Sequence, residues 1–197
     1  MNRTASQQHA PSNAPPCTVT SESPQRFVNV STGVTDHRAI PLKELLKHCK
    51  TLDLSPEVRE DESPTFVLYY STDCYVNPDG EKQVGLVCQT QFNGEYLAVT
   101  APAAFLTRDC KFKGALFATL AQIALQTKYI QPTYNPEDGA VSFEAEIPVC
   151  DGTVTARQLE VMIGSIVVQL ERYYPVIKHV METGKTNFDL VNESSDE

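Results

Sequence analysis

The sequence predicts an α+β domain, one antiparallel sheet of about five strands with helices packed on it, in the order α-β-β-β-α-β-β-α. Three observations carry that prediction. Alternating or β-branched runs are separated by hairpin-length turns. Segments of helical apolar spacing interrupt them and close the chain. The 197 residues suit a single core rather than two large domains.

Residues 1–25 are rich in Ser, Thr, Gln, Asn and Pro with few large apolar side chains. They cannot bury enough surface to offset the entropy of ordering, so a disordered polar arm is expected there. The first helix begins where Pro41 fits an opening turn, and Leu42, Leu45, Leu46, Cys49 and Leu52 follow at helical spacing. SPEVREDESP reads as a polar linker into FVLYYSTDCY, whose Tyr, Val and Phe favour a strand. NPDGEK turns the chain, QVGLVCQTQ returns it, and Asn93-Gly94 is the dipeptide of a tight hairpin into EYLAVTA. From about Phe105 to Lys128 the pattern is helical. YIQPTY and AVSFEAEIP then flank a second turn. Pro132 marks the first of these as an edge strand, and Val141, Phe143, Ala145 and Ile147 alternate with Ser142, Glu144 and Glu146 in the second. Thr155 and Gln158 form a capping box, stapled by Val154 and Leu159, for a last helix to about Glu182 that Pro175 should kink. The domain is expected over 38–183, followed by an acidic flexible tail over 184–197.

Sixteen Lys+Arg against 25 Asp+Glu give a net charge of −9, and no basic stripe compensates it. Phosphate backbones and anionic lipid surfaces repel such a body, so nucleic-acid binding is not expected, and membrane insertion is not expected because the apolar stretches fall far short of the roughly 20 residues a bilayer span needs. Six scattered cysteines without a CxxC pair, and no apolar leader, fit a reduced, cytoplasmic setting.

Catalytic, cofactor and metal signatures are absent from the pattern. Gly184-Lys185-Thr186 imitates the end of a phosphate loop, but His179 stands where its first glycine belongs. His9, His37, His48 and His179 show no ligand spacing. Cys49 lies on the apolar stripe of its helix, and Glu144 with Glu146 reads as a solvated strand face. The expectation is a protein that is not an enzyme and carries no cofactor.

The central helix carries more apolar surface than a sheet can cover. Leu116, Leu120 and Ile123 make one face with Phe112, while Phe117, Ala118, Ala121 and Leu125 continue the arc past half the circumference. The first helix, the last helix or a second copy of the chain could cover the excess, and self-association is the preferred expectation. On the last helix Val161 and Val168 fall opposite the core stripe, as ordinary surface valines also do. Phe117, Ala121, Leu125, Val161 and Val168 are the candidate dimer or partner surface.

The stretch KYIQPTYNPEDGAVSFEAEIPVCDGTVTARQLEVMIGSIVVQLERYYPVIKHVM, with its edge strand, DG turn, Ile147-Pro148, Asp151-Gly152 and Arg172-Tyr173-Tyr174-Pro175, resembles the YbjN family, similar in fold to type III secretion chaperones. That resemblance implies a chaperone-like fold and a non-enzymatic role, either in bacterial sensory transduction and stress response or as a dimeric chaperone holding extended segments. The resulting expectation is a protein-binding adaptor, homodimeric, with a protein partner. The alternative is a small-molecule sensor with a pocket between sheet and helices lined by Tyr69, Tyr70 or Tyr75.

Overall fold

The computed structural model describes residues 40–59, 65–149 and 153–193. The expected polar arm, Cys17, Cys150, His9, His37, Asp151-Gly152 and residues 194–197 lie outside the described residues.

Leu45 and Cys49, one helical turn apart, are fully buried and seat α1 (Leu42–Thr51) on the sheet side of the core. The segment read as a linker contains a three-residue strand, β1 (Glu57–Arg59), all of it exposed and paired antiparallel with β2 (Thr65–Ser71). Its Glu-Val-Arg composition has no buried face to alternate, so periodicity could not reveal it. β3 (Gln83–Gln91) alternates faithfully, with Val84, Leu86 and Cys88 in the core. A single 3-10 turn, Phe92–Gly94, leads to β4 (Tyr96–Leu106), and the positive φ falls on Phe92 and Gly94.

β4 is longer than the sequence suggested. Phe105 and Leu106, expected to open the central helix, belong to the strand, and α2 runs from Lys113 to Gln126. The register shifts between Ala101 and Phe105, where Ala103 adopts φ 48° and its N–H donates to Ser142 Oγ at 3.0 Å. This bulge interrupts the alternation that would have marked the strand's end. β5 (Ile130–Tyr134) and β6 (Ala140–Pro148) complete a six-stranded antiparallel sheet ordered β1-β2-β3-β4-β6-β5. β5 is an edge, where Pro132 is tolerated.

α3 (Ala156–Thr183) opens on the expected capping box, with Gln158 N–H donating to Thr155 Oγ1 at 3.1 Å and Thr155 N–H to Gln158 Oε1 at 2.8 Å. It continues as one 28-residue helix through Pro175. Leu159, Met162, Ile163, Ile166, Leu170 and Tyr173 form its buried stripe. Gly184 ends it at φ 73°, the left-handed cap glycine supplies without strain, so the Gly-Lys-Thr tripeptide is a helix terminus. Residues 184–193, expected within the tail, pack on the domain. Phe188 meets the Tyr173 ring edge-on at 6.4 Å, and Val191 on the short α4 (Leu190–Glu193) is buried. Their apolar side chains hold them there despite acidic neighbours.

Candidate interaction surface

α2 forms because Ala, Leu and Gln dominate it, and it buries the face that meets sheet and α3. Leu116, Leu120 and Ile123 are in the core. Thr119 is buried too, its hydroxyl 2.7 Å from Thr186 Oγ1 and 2.9 Å from the Ala115 carbonyl oxygen. Phe112, placed on this face by spacing, instead precedes the helix and remains partly exposed.

The opposite ridge is uncovered. Phe117, Ala121 and Leu125 recur at i, i+4 and i+8, one above the other. Ala121 is exposed, Phe117 is 37% exposed and Leu125 is 88% exposed. The Phe117 ring rests on Tyr134 of the edge strand β5 at 4.7 Å, so this ridge continues onto the end of the sheet. On α3, Val161 is 41% and Val168 58% exposed. Val161 lies in a shallow depression of about 240 Å³ with Tyr129, Ile147 and Met162, bordered by Arg157. Arg157 pairs with Glu160 at 2.8 Å. Tyr129, exposed at φ 66°, was not singled out by spacing because it sits in the α2–β5 turn.

Of the three tyrosines of the sensor alternative, Tyr69 and Tyr75 line one open groove at the β2–β3 end of the sheet, and Tyr70 stands apart from it. Tyr70 faces the helices, and burial, then Cys88 and Cys49, push its hydroxyl up to about 12. Tyr75 is buried, its hydroxyl donating to the Ala104 carbonyl at 3.0 Å, with Phe105 and Tyr174 edge-on at 6.0 and 5.5 Å. Tyr69 stands on the far side of the sheet, half exposed.

Nucleophile chemistry has little support in the described residues. Cys49 is fully buried and burial pushes its thiol up to about 11, while burial first and then Cys49 raise Cys88 further. Cys74 is exposed, but its thiol is also raised, by burial, then by Glu171 and Asp73. The attacking species would be the thiolate. Among the described residues no three His, Cys, Asp or Glu side chains are placed to hold a metal ion. Glu144 is half-buried, and burial, then repulsion from Glu146, raises its carboxyl against the opposing effect of the Thr100 hydroxyl.

One polar contact escaped sequence reasoning entirely. The Glu171 carboxylate on α3 accepts backbone N–H groups from Asp73 at 2.6 Å, Cys74 at 2.7 Å and Tyr75 at 3.0 Å. It fixes the β2–β3 loop to the helix.

No protein-family model matches the sequence, and no curated protein does. Among solved structures the fold is similar to that of YbjN from E. coli, with a TM-score of 0.50 and 15% identity over 68% of this chain and 92% of that one. The ExsC–ExsE complex gives a TM-score of 0.48 and 17% identity over 69% and 92%. The HopA1–SchA chaperone–effector complex gives 0.44 and 11% over 66% and 90%. The chain has a YbjN-like α+β fold, and at these identities the likeness is one of fold.

Proposed function

We infer that the chain is a non-enzymatic, cytoplasmic protein-binding adaptor, chaperone-like or regulatory, which forms a homodimer and takes up a segment of a protein partner. The observation that carries this reading is the uncovered ridge Phe117, Ala121 and Leu125 on α2, continued by Tyr134. Fully burying a leucine or phenylalanine is worth about 1.5–3 kcal/mol. Leu125 has nearly all of that still to gain, Phe117 about a third. A helix of 14 residues is about 21 Å long, and a strip of that length supplies a fraction of the roughly 800 Å² each partner of a stable interface buries. The dimer surface therefore extends beyond α2, and Val161 and Val168 on α3 are the remaining candidates. No described helix is long and apolar enough to cross a membrane.

The test is light scattering on the full chain and on the double variant Phe117→Lys/Leu125→Lys. The wild type should run at twice the chain mass and the variant at once, with matching circular dichroism. A monomeric wild type at micromolar concentration would remove the homodimer, and an unchanged variant would move it off α2.

A further inference from the structure

The sheet face turned away from the helices has two halves of different chemistry. Cross-strand register aligns Glu57, Val67, Val87, Thr100, Glu144 and Gln131 in one row across all six strands, and directly opposed residues share a face. Over β2, β3 and the end of β4 that face is largely apolar: Tyr69, Val87, Pro102 and Leu106 line a groove of about 410 Å³ whose floor includes the buried Val67. Gly85 lies under the Tyr69 ring, where an added Cβ would stand 3.3 Å from the ring edge. The β4 bulge at Pro102 and Ala103 forms one wall, and Asn77, Pro78 and Asp79 another. Over β6 the same face is acidic, because Glu144 and Glu146 are two apart and project together.

Val87 and Glu144 are separated by one intervening strand. Two steps of about 4.8 Å put them about 10 Å apart, the diameter of an α-helix with its side chains. A helix lying along β4 would press one flank on the groove and turn the other to the glutamates. Among the described residues Glu57, Asp79, Glu144 and Glu146 around this face outnumber the cation Arg59 that lines the groove. A second copy of a chain carrying −9 is a poor complement to such a surface.

We propose that this sheet face docks a cationic amphipathic helix of a partner protein, its apolar side on Tyr69, Val87, Pro102 and Leu106 and its basic flank against Glu144 and Glu146. The inference rests on the protein-binding reading but not on the homodimer, since the surface lies on the opposite side of the sheet from α2.

The probe is a fluorescent leucine/lysine amphipathic helix of about five turns, titrated into the full-length protein by anisotropy. A leucine/glutamate helix and a scrambled, non-amphipathic leucine/lysine peptide serve as controls. The expected result is saturable binding of the first peptide alone, weakened about tenfold by Glu144→Gln/Glu146→Gln and by raised salt, and abolished by Val87→Lys. Equal binding of either control, no binding, or binding unaffected by both variants overturns the proposal. A change in oligomeric size on Val87→Lys overturns it also, since the face would then join copies of this chain. Should Val87→Lys fail to fold, amide shifts in the wild type decide: perturbation at Thr100, Glu144 and Glu146 supports the site, and perturbation confined to α2 and α3 overturns it. Phe117→Lys/Leu125→Lys separates the two readings. Loss of the dimer with binding intact leaves this site standing, and a dimer that binds no peptide leaves only the earlier reading.

Discussion

Glu171 closes a loop 96 to 98 residues earlier in the chain, and its two carboxylate oxygens serve three backbone donors. A carboxylate can do this because it only accepts, whereas an amide would present N–H to N–H. Glu171→Gln should therefore cost about 1–2 kcal/mol, reduced from the buried charge-assisted value because the contacts at Asp73 and Cys74 are exposed. Chemical denaturation measures that loss. The same substitution removes one of the charges that raise Cys74, so labelling of that thiol near neutral pH should become faster. Glu144 gives a pH signature of opposite origin. Its folded-state pKa is raised, by burial first and by Glu146 second, so the folded protein holds that proton more tightly than the unfolded chain. Stability is unaffected below the ordinary carboxylate range, falls as pH rises through the raised value, and stays lower above it. Glu144→Gln should abolish that fall and leave the variant at least as stable as wild type at neutral pH, as urea midpoints across pH will show. Neither residue's behaviour was legible in the sequence. Glu144 does share its strand face with Glu146, but it is half-buried rather than solvated, and its cross-strand neighbour Thr100 and the distant Asp73 loop are set by tertiary register.

Elements with a strong local signal were read well. The Thr155–Gln158 capping box, the alternation of β6, the edge position of Pro132 and the buried stripe of α3 all follow from short-range rules. The misreadings fall where local pattern and structure part. β1 has no buried face, and the β4 bulge breaks the period before the strand ends. At the last turn of α3 the Gly-Lys-Thr tripeptide, set aside as a phosphate loop from its spacing, is explained by a cap. Gly184 takes φ 73°, and a Cβ there would lie 2.6 Å from the Phe112 ring. Gly184→Ala should lower stability by about 1–3 kcal/mol, or about 2–12 °C in thermal unfolding. Gly80→Ala, where φ is also positive but no atom stands within 4 Å, should show the shared backbone strain in thermal melts and a smaller loss than Gly184→Ala, which adds the clash with Phe112.

For the whole molecule, the layer arrangement and the acidic character were predictable from composition and element order. The exposed ridge of α2 was predictable as well, because its apolar arc exceeds what one sheet can cover. What no periodicity could show is the division of the far sheet face into an apolar and an acidic half, which depends on how five strand pairings align. The charge balance bears on assembly. Copies carrying −9 repel, so the association that Phe117→Lys/Leu125→Lys is designed to break should tighten with added salt, in contrast to docking of a cationic helix. Sedimentation at two ionic strengths distinguishes the two behaviours.

α3 touches α1, α2, α4, β4 and β6. A helix of the layer that detaches must bare the part of α3 that it covers, so the long helix ties α1 and α2 to one support. Amide protons at the centres of α1 and α2 would then exchange through one shared opening event, and a partner could remodel this layer only by melting it as a unit.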